Sequence, residues 1–420
     1  MKKIYISIIT FIFILILCIP TYAEKNTEIT SKACILVESS TGKIIYEKNS
    51  KEKMYPASTT KIMTALLALE NCKLDDVITV SDNAIKSISA DYATVYLNAG
   101  EQLTVEQLLN ILLIPSGNVV GNIFAEHISG SNEAFVKLMN KRAKELGCVN
   151  TNFTNSYGLH DDNHYSCAYD LYLIAREAMK NDTFREIVKK TSYKLGPTNV
   201  YPKDDRFFRT TNELIKPSSK QYYYENAIGI KTGYTSQAKN CLVAAATKDG
   251  LEFITVVLGA GTDSKGTSLR YTETKKLFEY AFNNYSMKTL REANDVYKTV
   301  EVKNGTKDTK KLDVLVKDKI VALVDRDNIY NTTLPEVSFD ESKLKAPITK
   351  DDVIGHIKYN VEDITYESDL IASHDVKKSY LKYIIIGIII VILIILILML
   401  KNYISKNYRR KKSKYTQFRI

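Results

Sequence analysis

The spacing of apolar and polar residues divides the chain into distinct segments. Uncharged apolar stretches lie near both ends, from Ile4 to Ile19 and from Ile384 to Leu400. Between residues 27 and 285, helix-like apolar runs alternate with strand-like ones. Residues 292–375 contain only short strand-like runs separated by Asn-Gly, Asp and Pro turns. This pattern predicts a mixed α+β domain over 27–285 and a small all-β sandwich over 292–375.

The apolar stretch near the N-terminus predicts a signal peptide. It follows Met1-Lys2-Lys3 and ends in Pro20-Thr21-Tyr22-Ala23, which is the order of basic, apolar and small residues that secretory signals share. We expect residues 1–23 to be removed by cleavage after Ala23. The rest of the chain is then directed across the cell membrane.

The apolar stretch near the C-terminus predicts a membrane-spanning helix over 383–400. Its uncharged part reaches the lower limit for spanning a bilayer, about 17 residues. A buried core helix is the alternative, but the flanking tail, 401–420, contains basic residues and no acid. These residues are Lys401, Lys406, Arg409, Arg410, Lys411, Lys412, Lys414 and Arg419. By the positive-inside rule, the tail is expected in the cytoplasm and the bulk of the chain outside.

The net charge of +10 comes from the two ends of the chain. Without Lys2, Lys3 and the basic residues from Lys377 onward, 45 basic and 48 acidic residues remain, a net charge of about −3. The part expected outside the cell therefore offers no basic surface of the kind that nucleic acids require. We expect no nucleic-acid partner.

The first chemical motif is Ser58-Thr59-Thr60-Lys61, an S-x-x-K sequence. Pro56 precedes it and the apolar run 62–69 follows, which predicts a buried helix with Ser58 at its N-terminus. Unpaired N–H groups and the helix dipole stabilise an anionic oxygen there. Lys61 lies on the same face, and burial beside a second cation, such as Lys231, would depress its pKa and make it a base. A capping serine followed by a solvated lysine is the alternative, because the same pattern begins at Ser40, Ser50, Ser236, Ser342 and Ser379.

The second motif is Ser116-Gly117-Asn118, an S-x-N sequence. It follows an apolar helix-like run and Pro115, so the pattern predicts a turn that brings polar side chains to the edge of the core. Ser116 is a candidate proton relay between Lys61 and a leaving group, and the Asn118 amide is a candidate to hold Lys61 and a substrate carbonyl. An ordinary turn is the alternative.

Two similar sequences are expected to have other roles. Ser81-Asp82-Asn83 lies too close to Ser58 along the chain and is expected to cap the next helix. Residues 106–110 match the E-x-x-L-N pattern of the deacylating glutamate in class A β-lactamases, but they precede the S-x-N turn instead of following it. An ordinary amphipathic helix is the expected structure.

The third motif is Lys231-Thr232-Gly233, a K-T-G sequence within a strand-like run. The glycine indicates a strand edge where the backbone closely approaches a ligand. Lys231 is expected to supply positive potential, and Thr232 and Thr235 to bind a substrate carboxylate. The Tyr234 N–H is expected to form an oxyanion hole with that of Ser58.

The three motifs, in this order, resemble those of low-molecular-mass penicillin-binding proteins that are serine D-alanyl-D-alanine carboxypeptidases. The resemblance runs from about Ala33 to about Tyr285 and continues more weakly to about Asp375. It includes a hairpin of Ala33–Glu38 with Thr41–Asn49, just before Ser58. Further supporting segments are Asn155–Leu159, Asn163–Asp170, Val256–Ala260 and Arg270–Leu277. The resemblance implies a β-lactamase/transpeptidase-like catalytic domain, an antiparallel sheet flanked by helices.

The resemblance also adds one residue to the candidate site and marks two departures. Arg270 matches the arginine that helps to hold the substrate carboxylate in this family, a role that suits a guanidinium fork. Val119 stands where the family usually has an acid, and Cys167 where it often has threonine. Neither position carries the nucleophile, the base or the oxyanion hole.

Cysteine and histidine placement argues against disulfide or metal chemistry. Cys18 is expected to leave with the signal peptide, which leaves an odd number of cysteines, and buried free thiols are the favoured interpretation. The sequence His160-Asp161-Asp162-Asn163-His164 looks like a ligand cluster, but no other histidine is placed to complete it. We expect neither a metal nor a cofactor.

These observations predict that the protein removes the terminal D-alanine from peptidoglycan stem pentapeptides through a Ser58 acyl-enzyme. β-Lactams are expected to acylate the same serine. A transpeptidase or endopeptidase, a β-lactamase and a non-catalytic wall-binding protein are the alternatives. The β-sandwich is expected either to space the site from the membrane or to recognise another protein.

Overall fold

The structure is a computed structural model that describes residues 28–89, 92, 94–326 and 334–416, with side chains as far as Arg410. The predicted signal peptide lies outside these residues. The chain forms two compact units, which meet in sequence between Tyr285 and Ser286.

An antiparallel five-stranded sheet forms the centre of the first unit. Across the sheet its strands are β2 (Ile44–Lys48), β1 (Ala33–Glu38), β9 (Leu251–Ala260), β8 (Lys239–Lys248) and β7 (Ala227–Thr235). Every residue of β1 is buried, because helices cover both faces of the sheet. The expected hairpin before Ser58 is confirmed, since β1 pairs with β2. The K-T-G sequence lies on β7, at the predicted sheet edge.

Helices cover the sheet on its two faces. The helices of this unit are α1 (Lys61–Asn71), α2 (Asp82–Lys86), α3 (Val105–Leu113), α4 (Asn118–Ser129), α5 (Asn132–Glu145), α6 (Ala168–Ala178), α7 (Asp182–Val188) and α8 (Leu269–Asn284), and of these α6, α7 and α8 contact the sheet directly. Alternate residues of β9 face opposite sides. Ile254 and Val256 join the main core around α1, whereas the Phe253 ring packs edge-on against Phe282 of α8 with ring centroids 5.1 Å apart.

Short two-stranded sheets and helix caps complete the first unit. The strand pairs are β3 (Val77–Thr79) with β4 (Gln102–Thr104), and β5 (Ser192–Leu195) with β6 (Arg206–Arg209). Ser81 caps α2 by accepting a hydrogen bond from the Ala84 N–H, as predicted. The E-x-x-L-N sequence lies in α3, which is the expected amphipathic helix. Thr104 and Gln107 cap the N-terminus of this helix with reciprocal hydrogen bonds.

Both departures from the family pattern have a structural role. Val119 is buried in the main core near the start of α4, a place where an unpaired acid would be costly. Cys167 is the N-cap of α6, and its Sγ accepts from the Asp170 N–H at 3.4 Å. The thiol therefore takes the position that a threonine hydroxyl fills in other helix caps.

The second unit begins with β-strands and ends with one long helix. The strands are β10 (Tyr285–Arg291), β11 (Val296–Glu301), β12 (Lys311–Val316), β13 (Ile320–Asp325), β14 (Glu336–Phe339), β15 (Val353–Val361) and β16 (Ile364–Ala372). Five of them form a sheet in the order β11-β12-β16-β15-β14, and β10 pairs with β13. Ala322 and Val324 of β13 pack against Val361 of β15, so the two sheets share buried contacts, as in the predicted sandwich.

The final helix, α9 (Leu381–Thr416), contains the apolar stretch near the C-terminus. The segment Leu381–Arg410 is long and apolar enough to cross a membrane. Of its most apolar stretch of 18 residues, 0% is buried within the chain. The stretch is therefore not a core helix of the unit that contains it.

Candidate active site

Ser58 lies in a single turn of 3-10 helix, Ala57–Thr60, that leads directly into α1. The predicted position of Ser58 at a helix N-terminus is confirmed, with a first turn that is tighter than an α-helix. Ala57 has a φ of +49°, in the left-handed region that costs an alanine about 1–2 kcal/mol. Strain of this kind persists only where the surrounding structure fixes it, and here it precedes the candidate nucleophile.

Lys61 is fully buried and points its amine at Ser58. Its Nζ lies 3.0 Å from the Ser58 Oγ, 2.6 Å from the Asn118 Oδ1 and 2.7 Å from the Tyr157 carbonyl oxygen. Burial, reinforced by the nearby Lys231 cation, lowers the pKa of Lys61 well below its usual value. A neutral amine next to a hydroxyl is suited to remove its proton.

Lys231 forms the middle of a line of basic groups. It is 1% exposed on β7, and its Nζ donates to the Thr232 carbonyl at 3.0 Å. Burial, with a smaller contribution from Arg270, lowers the pKa of Lys231 to about 7. Arg270 lies in the first turn of α8, donates from Nη1 to the Gly233 carbonyl at 3.1 Å and stacks its guanidinium over the Tyr271 ring. The electrostatic influence therefore runs from Arg270 through Lys231 to Lys61.

The S-x-N turn reaches this cluster through Asn118. The Asn118 Nδ2 donates to the Tyr92 carbonyl at 2.5 Å. The backbone N–H of Asn118 donates to the Thr94 Oγ1 at 3.1 Å, and the Thr94 hydroxyl in turn donates to the Ser116 carbonyl. Ser116 has a φ of +69° and is 7% exposed. Its hydroxyl makes no hydrogen bond to any residue that the structure describes. The proton-relay role of Ser116 therefore stays a prediction.

The K-T-G strand packs directly against the turn that carries Ser58. A Cβ on Gly233 would lie 2.9 Å from the Pro56 carbonyl oxygen and 3.1 Å from the Ser58 nitrogen, so only glycine permits this approach. The Thr232 hydroxyl is 2.6 Å from that of Thr211, a contact that the sequence did not indicate. The Thr235 hydroxyl accepts from the Ala238 N–H at 2.9 Å.

A cavity of about 310 Å³ opens above Ser58. The described residues that line it are Ser58, Tyr92, Asn118, Tyr157, Gly158, Leu159, His160, Tyr234, Thr235, Ser236 and Gln237. Four predicted site residues, Ser58, Asn118, Tyr234 and Thr235, thus share one cavity. Lys61 is fully buried and contacts Ser58, which lines the cavity, while Lys231, Thr232 and Gly233 are buried in the adjoining strand.

The loop before α6 supports the nucleophile in a way that sequence reasoning missed. The Asn155 Oδ1 accepts from the N–H groups of Gly158 and Leu159, at 2.7 and 2.9 Å, and shapes a turn that aims the Tyr157 carbonyl at Lys61. Gly158 has a φ of +88°, and a Cβ there would lie 1.9 Å from the Ala57 carbonyl oxygen. A backbone acceptor has no side-chain signature. The Asn-Ser-Tyr-Gly sequence was the only available signal.

His164 joins this loop to the Ser58 turn. Its ring is 1% exposed, and its Nδ1 accepts from the Thr154 N–H at 3.0 Å. Because Nδ1 is an acceptor, the proton of the neutral ring is assigned to Nε2, which lies 2.8 Å from the Thr60 Oγ1. Both ring nitrogens are therefore engaged in hydrogen bonds within the protein.

We expect His164 to make the first unit less stable in acid. Burial lowers the pKa of His164 to about 4, whereas a histidine in the unfolded chain titrates near 6.5. The unfolded chain therefore binds a proton first, and the free energy of unfolding falls as the pH drops from about 6.5 towards 4. Between pH 7 and 4.5 this histidine should account for a loss of about 2 kcal/mol.

The comparison that checks this expectation is His164→Gln, which does not titrate. Calorimetry of the full chain in detergent at pH 7 and 4.5 would follow the transition that shifts when penicillin is bound, since ligand binding marks the unit concerned. The variant should lose less stability on acidification than the unchanged chain. Equal losses in both proteins would contradict the assignment.

A helix-flanked antiparallel sheet with S-x-x-K, S-x-N and K-T-G at one cavity is the arrangement of penicillin-recognising proteins. The sequence model of the family described as D-alanyl-D-alanine carboxypeptidase matches residues 20–262, and that of the penicillin-binding protein 5 C-terminal domain matches residues 285–378. The chain belongs to the D-alanyl-D-alanine carboxypeptidase family.

Individual relatives match most of the chain. D-alanyl-D-alanine carboxypeptidase DacF of Bacillus subtilis (strain 168) is 34% identical over 395 residues, which cover 90% of this chain and 96% of the relative. The structure of penicillin-binding protein 5 from Haemophilus influenzae is similar with a TM-score of 0.64 and 27% identity, over 84% of this chain and 98% of that one. The Streptomyces K15 DD-transpeptidase structure has a TM-score of 0.55 and 33% identity, over 61% of this chain and 98% of its own.

Proposed function

We propose that this protein is a serine D-alanyl-D-alanine carboxypeptidase that removes the terminal D-alanine from peptidoglycan stem pentapeptides. The observation that carries the proposal is the 3.0 Å contact between the buried Lys61 amine and the Ser58 hydroxyl, above which the cavity opens. The family match and the names of the relatives support the substrate class.

Acylation begins with proton transfer from Ser58 to the neutral Lys61. The Ser58 oxygen then attacks the carbonyl that joins the last two D-alanines, and the N–H groups of Ser58 and Tyr234 stabilise the oxyanion. The close approach of Gly233 to the Ser58 nitrogen supports this pairing of the two segments.

The terminal carboxylate of the substrate is bound at the end of the cavity near the K-T-G strand. Thr232 and Thr235 supply hydroxyl groups, while Lys231 and Arg270 supply positive potential. Ser116 relays the proton that Lys61 took from Ser58 to the nitrogen of the departing D-alanine. Water then hydrolyses the acyl-enzyme. β-Lactam antibiotics enter the same path as covalent inhibitors, and no cofactor takes part.

A transpeptidase is the second candidate, because relatives from one Streptomyces strain are named both as a carboxypeptidase and as a transpeptidase. The protein from Streptomyces strain K15 is named a D-alanyl-D-alanine carboxypeptidase, and the structure from Streptomyces K15 a DD-transpeptidase. The two reactions share the acyl-enzyme and differ only in whether water or an amine accepts the acyl group. A β-lactamase is disfavoured, since Glu106 lies on α3 and is not among the residues that line the cavity.

The membrane topology is part of the proposal. We propose that residues 1–23 are a cleaved signal peptide, that 383–400 span the membrane once, and that 401–420 lie in the cytoplasm. The exposed apolar window of α9 and the basic tail support this arrangement. Residues 27–285 and 292–375 then lie on the extracytoplasmic face as the catalytic and β-sandwich domains.

The experiment that tests the function separates the two acceptors. The full chain in detergent is given a pentapeptide ending in D-alanyl-D-alanine, with and without glycine as an acceptor amine, and products are identified by mass. We expect release of D-alanine and a tetrapeptide, with hydrolysis exceeding transfer, and loss of activity after treatment with benzylpenicillin. Predominant transfer to glycine would favour the transpeptidase, and release that penicillin does not inhibit would contradict the site.

A further inference from the structure

The β-sandwich joins the start of α9 without a free linker. The Thr306 N–H donates to the Lys377 carbonyl at 2.9 Å, Gly305 pairs with Lys378, and the Ser379 N–H donates to the Asn304 carbonyl at 2.7 Å. Helical bonding begins almost at once, since the Ile384 N–H donates to the Tyr380 carbonyl at 3.1 Å. The loop 303–311 is therefore held at the point where the apolar helix begins.

This junction is strongly basic. The loop 303–311 and the segment 377–382 contain seven lysines and a single acid, Asp308. Lys310 pairs with Glu301, but Lys303, Lys307, Lys377, Lys378 and Lys382 form no ion pair with any residue in the described ranges. A concentration of unpaired cations next to an apolar helix complements an anionic lipid surface.

Aromatic rings mark the depth of the junction. Lys378 Nζ lies 5.7 Å from the ring centroid of Tyr380 and 5.8 Å from that of Tyr383, and both tyrosines are mostly exposed. Tyrosines are enriched where a spanning helix passes through the headgroup layer. The lysines of the junction would then lie at the height of the lipid phosphates.

A groove of about 350 Å³ lies at the same place. Asn304, Gly305, Ser379, Leu381, Lys382, Ile385 and Ile386 line it. Its polar side offers an ammonium group, a hydroxyl and an amide, and its apolar side follows the first turns of α9. This division matches a phospholipid, whose charged headgroup continues into an acyl chain.

We propose that this junction groove binds an anionic phospholipid of the outer leaflet. Lys382, Ser379 and Asn304 hold the phosphate, the acyl chain follows Leu381 and Ile385, and the other unpaired lysines attract further anionic headgroups. The lipid thereby fixes the β-sandwich at the bilayer surface. This inference rests on the proposed insertion of α9 and not on catalysis.

The test compares amide hydrogen exchange in the peptide 303–311 of the full chain in nanodiscs. One disc contains only phosphatidylcholine, and the other contains about a third phosphatidylglycerol. We expect exchange in this peptide to slow at least threefold in the anionic disc. Equal exchange in both discs would overturn the proposal. Free glycerol phosphate added to neutral discs would also overturn it if it slowed exchange as much as the anionic disc does, because the site would then bind a soluble phosphate.

Matched variants locate the effect. Lys307→Gln combined with Lys378→Gln and Lys382→Gln should abolish the slowing, whereas Lys298→Gln combined with Lys319→Gln and Lys358→Gln, elsewhere in the same unit, should retain it. An equal loss in both variants would indicate net charge instead of a site and overturn the groove. Chains that do not co-elute with discs would overturn the insertion of α9 and this inference with it. D-alanine release, measured on the same samples, reports on catalysis separately.

Discussion

Replacing Ser58 by alanine is expected to lower the rate of D-alanine release at least ~10⁴-fold and to abolish covalent penicillin binding. Among the residues that the structure describes, the substitution removes the only hydroxyl that contacts the Lys61 amine, so no other hydroxyl is placed there for activation. The fold should persist, because Ser58 is half-buried and its side chain contributes one hydrogen bond to Lys61. Steady-state release from the pentapeptide and intact-mass analysis after benzylpenicillin measure both effects.

The chain contains its own control for this experiment. Ser236 also begins an S-x-x-K sequence and lines the same cavity, but its hydroxyl donates to the neighbouring Gln237 and Lys239 is exposed. Ser236→Ala should therefore keep its penicillin adduct and retain kcat within about tenfold. An adduct that survives in Ser58→Ala but disappears in Ser236→Ala would transfer the nucleophile to the other serine.

Replacing Lys61 by arginine is expected to slow acylation of Ser58 by about 10³-fold, and Lys61→Met should be slowed as much. Arginine keeps the positive charge but stays protonated, so it cannot take the Ser58 proton. If Lys61 instead acts only through its charge, the arginine variant would keep most of its activity. The rate of Ser58 acylation by penicillin, measured by rapid mixing, quenching and mass analysis, distinguishes the two cases.

The pH dependence of acylation adds a second measurement on the same variants. Because the reacting form of Lys61 is the neutral amine, the acylation rate should rise with pH as that amine loses its proton. The lowered pKa of Lys61 brings this rise to a lower pH than an exposed lysine would. Both Lys61 variants should lose this rise. Thermal unfolding of each variant serves as the check that the protein is folded.

Local patterns predicted the elements that carry the site. The apolar run after Ser58 made a buried helix, the serine at position 81 made a cap, and Gly233 marked the strand edge. These features depend on residues close together in sequence, where propensity and capping chemistry act directly. Position 270 was indicated only by family resemblance, because nothing local distinguishes an arginine at the start of a helix.

Local patterns did not predict the contacts between residues that lie far apart in the sequence. Lys61 depends on the Tyr157 carbonyl, and Thr232 on the Thr211 hydroxyl, partners that only the folded chain brings together. The left-handed backbone at Ala57 and Ser116 was equally hidden, since neither residue favours it. In both cases the surrounding structure overrides the local preference.

The cysteines have a consequence for how the protein matures. All five in the described residues are free, and four are buried. Burial raises the pKa of Cys34 and Cys167 to about 12 and that of Cys241 to about 11, and it raises the pKa of Cys148 as well, so few thiolates form to react with oxidants. With the topology proposed above, the described part of the chain folds after export without forming a disulfide. The half-buried Cys72 is the remaining thiol in the described part, where a maleimide probe would attach to the native protein.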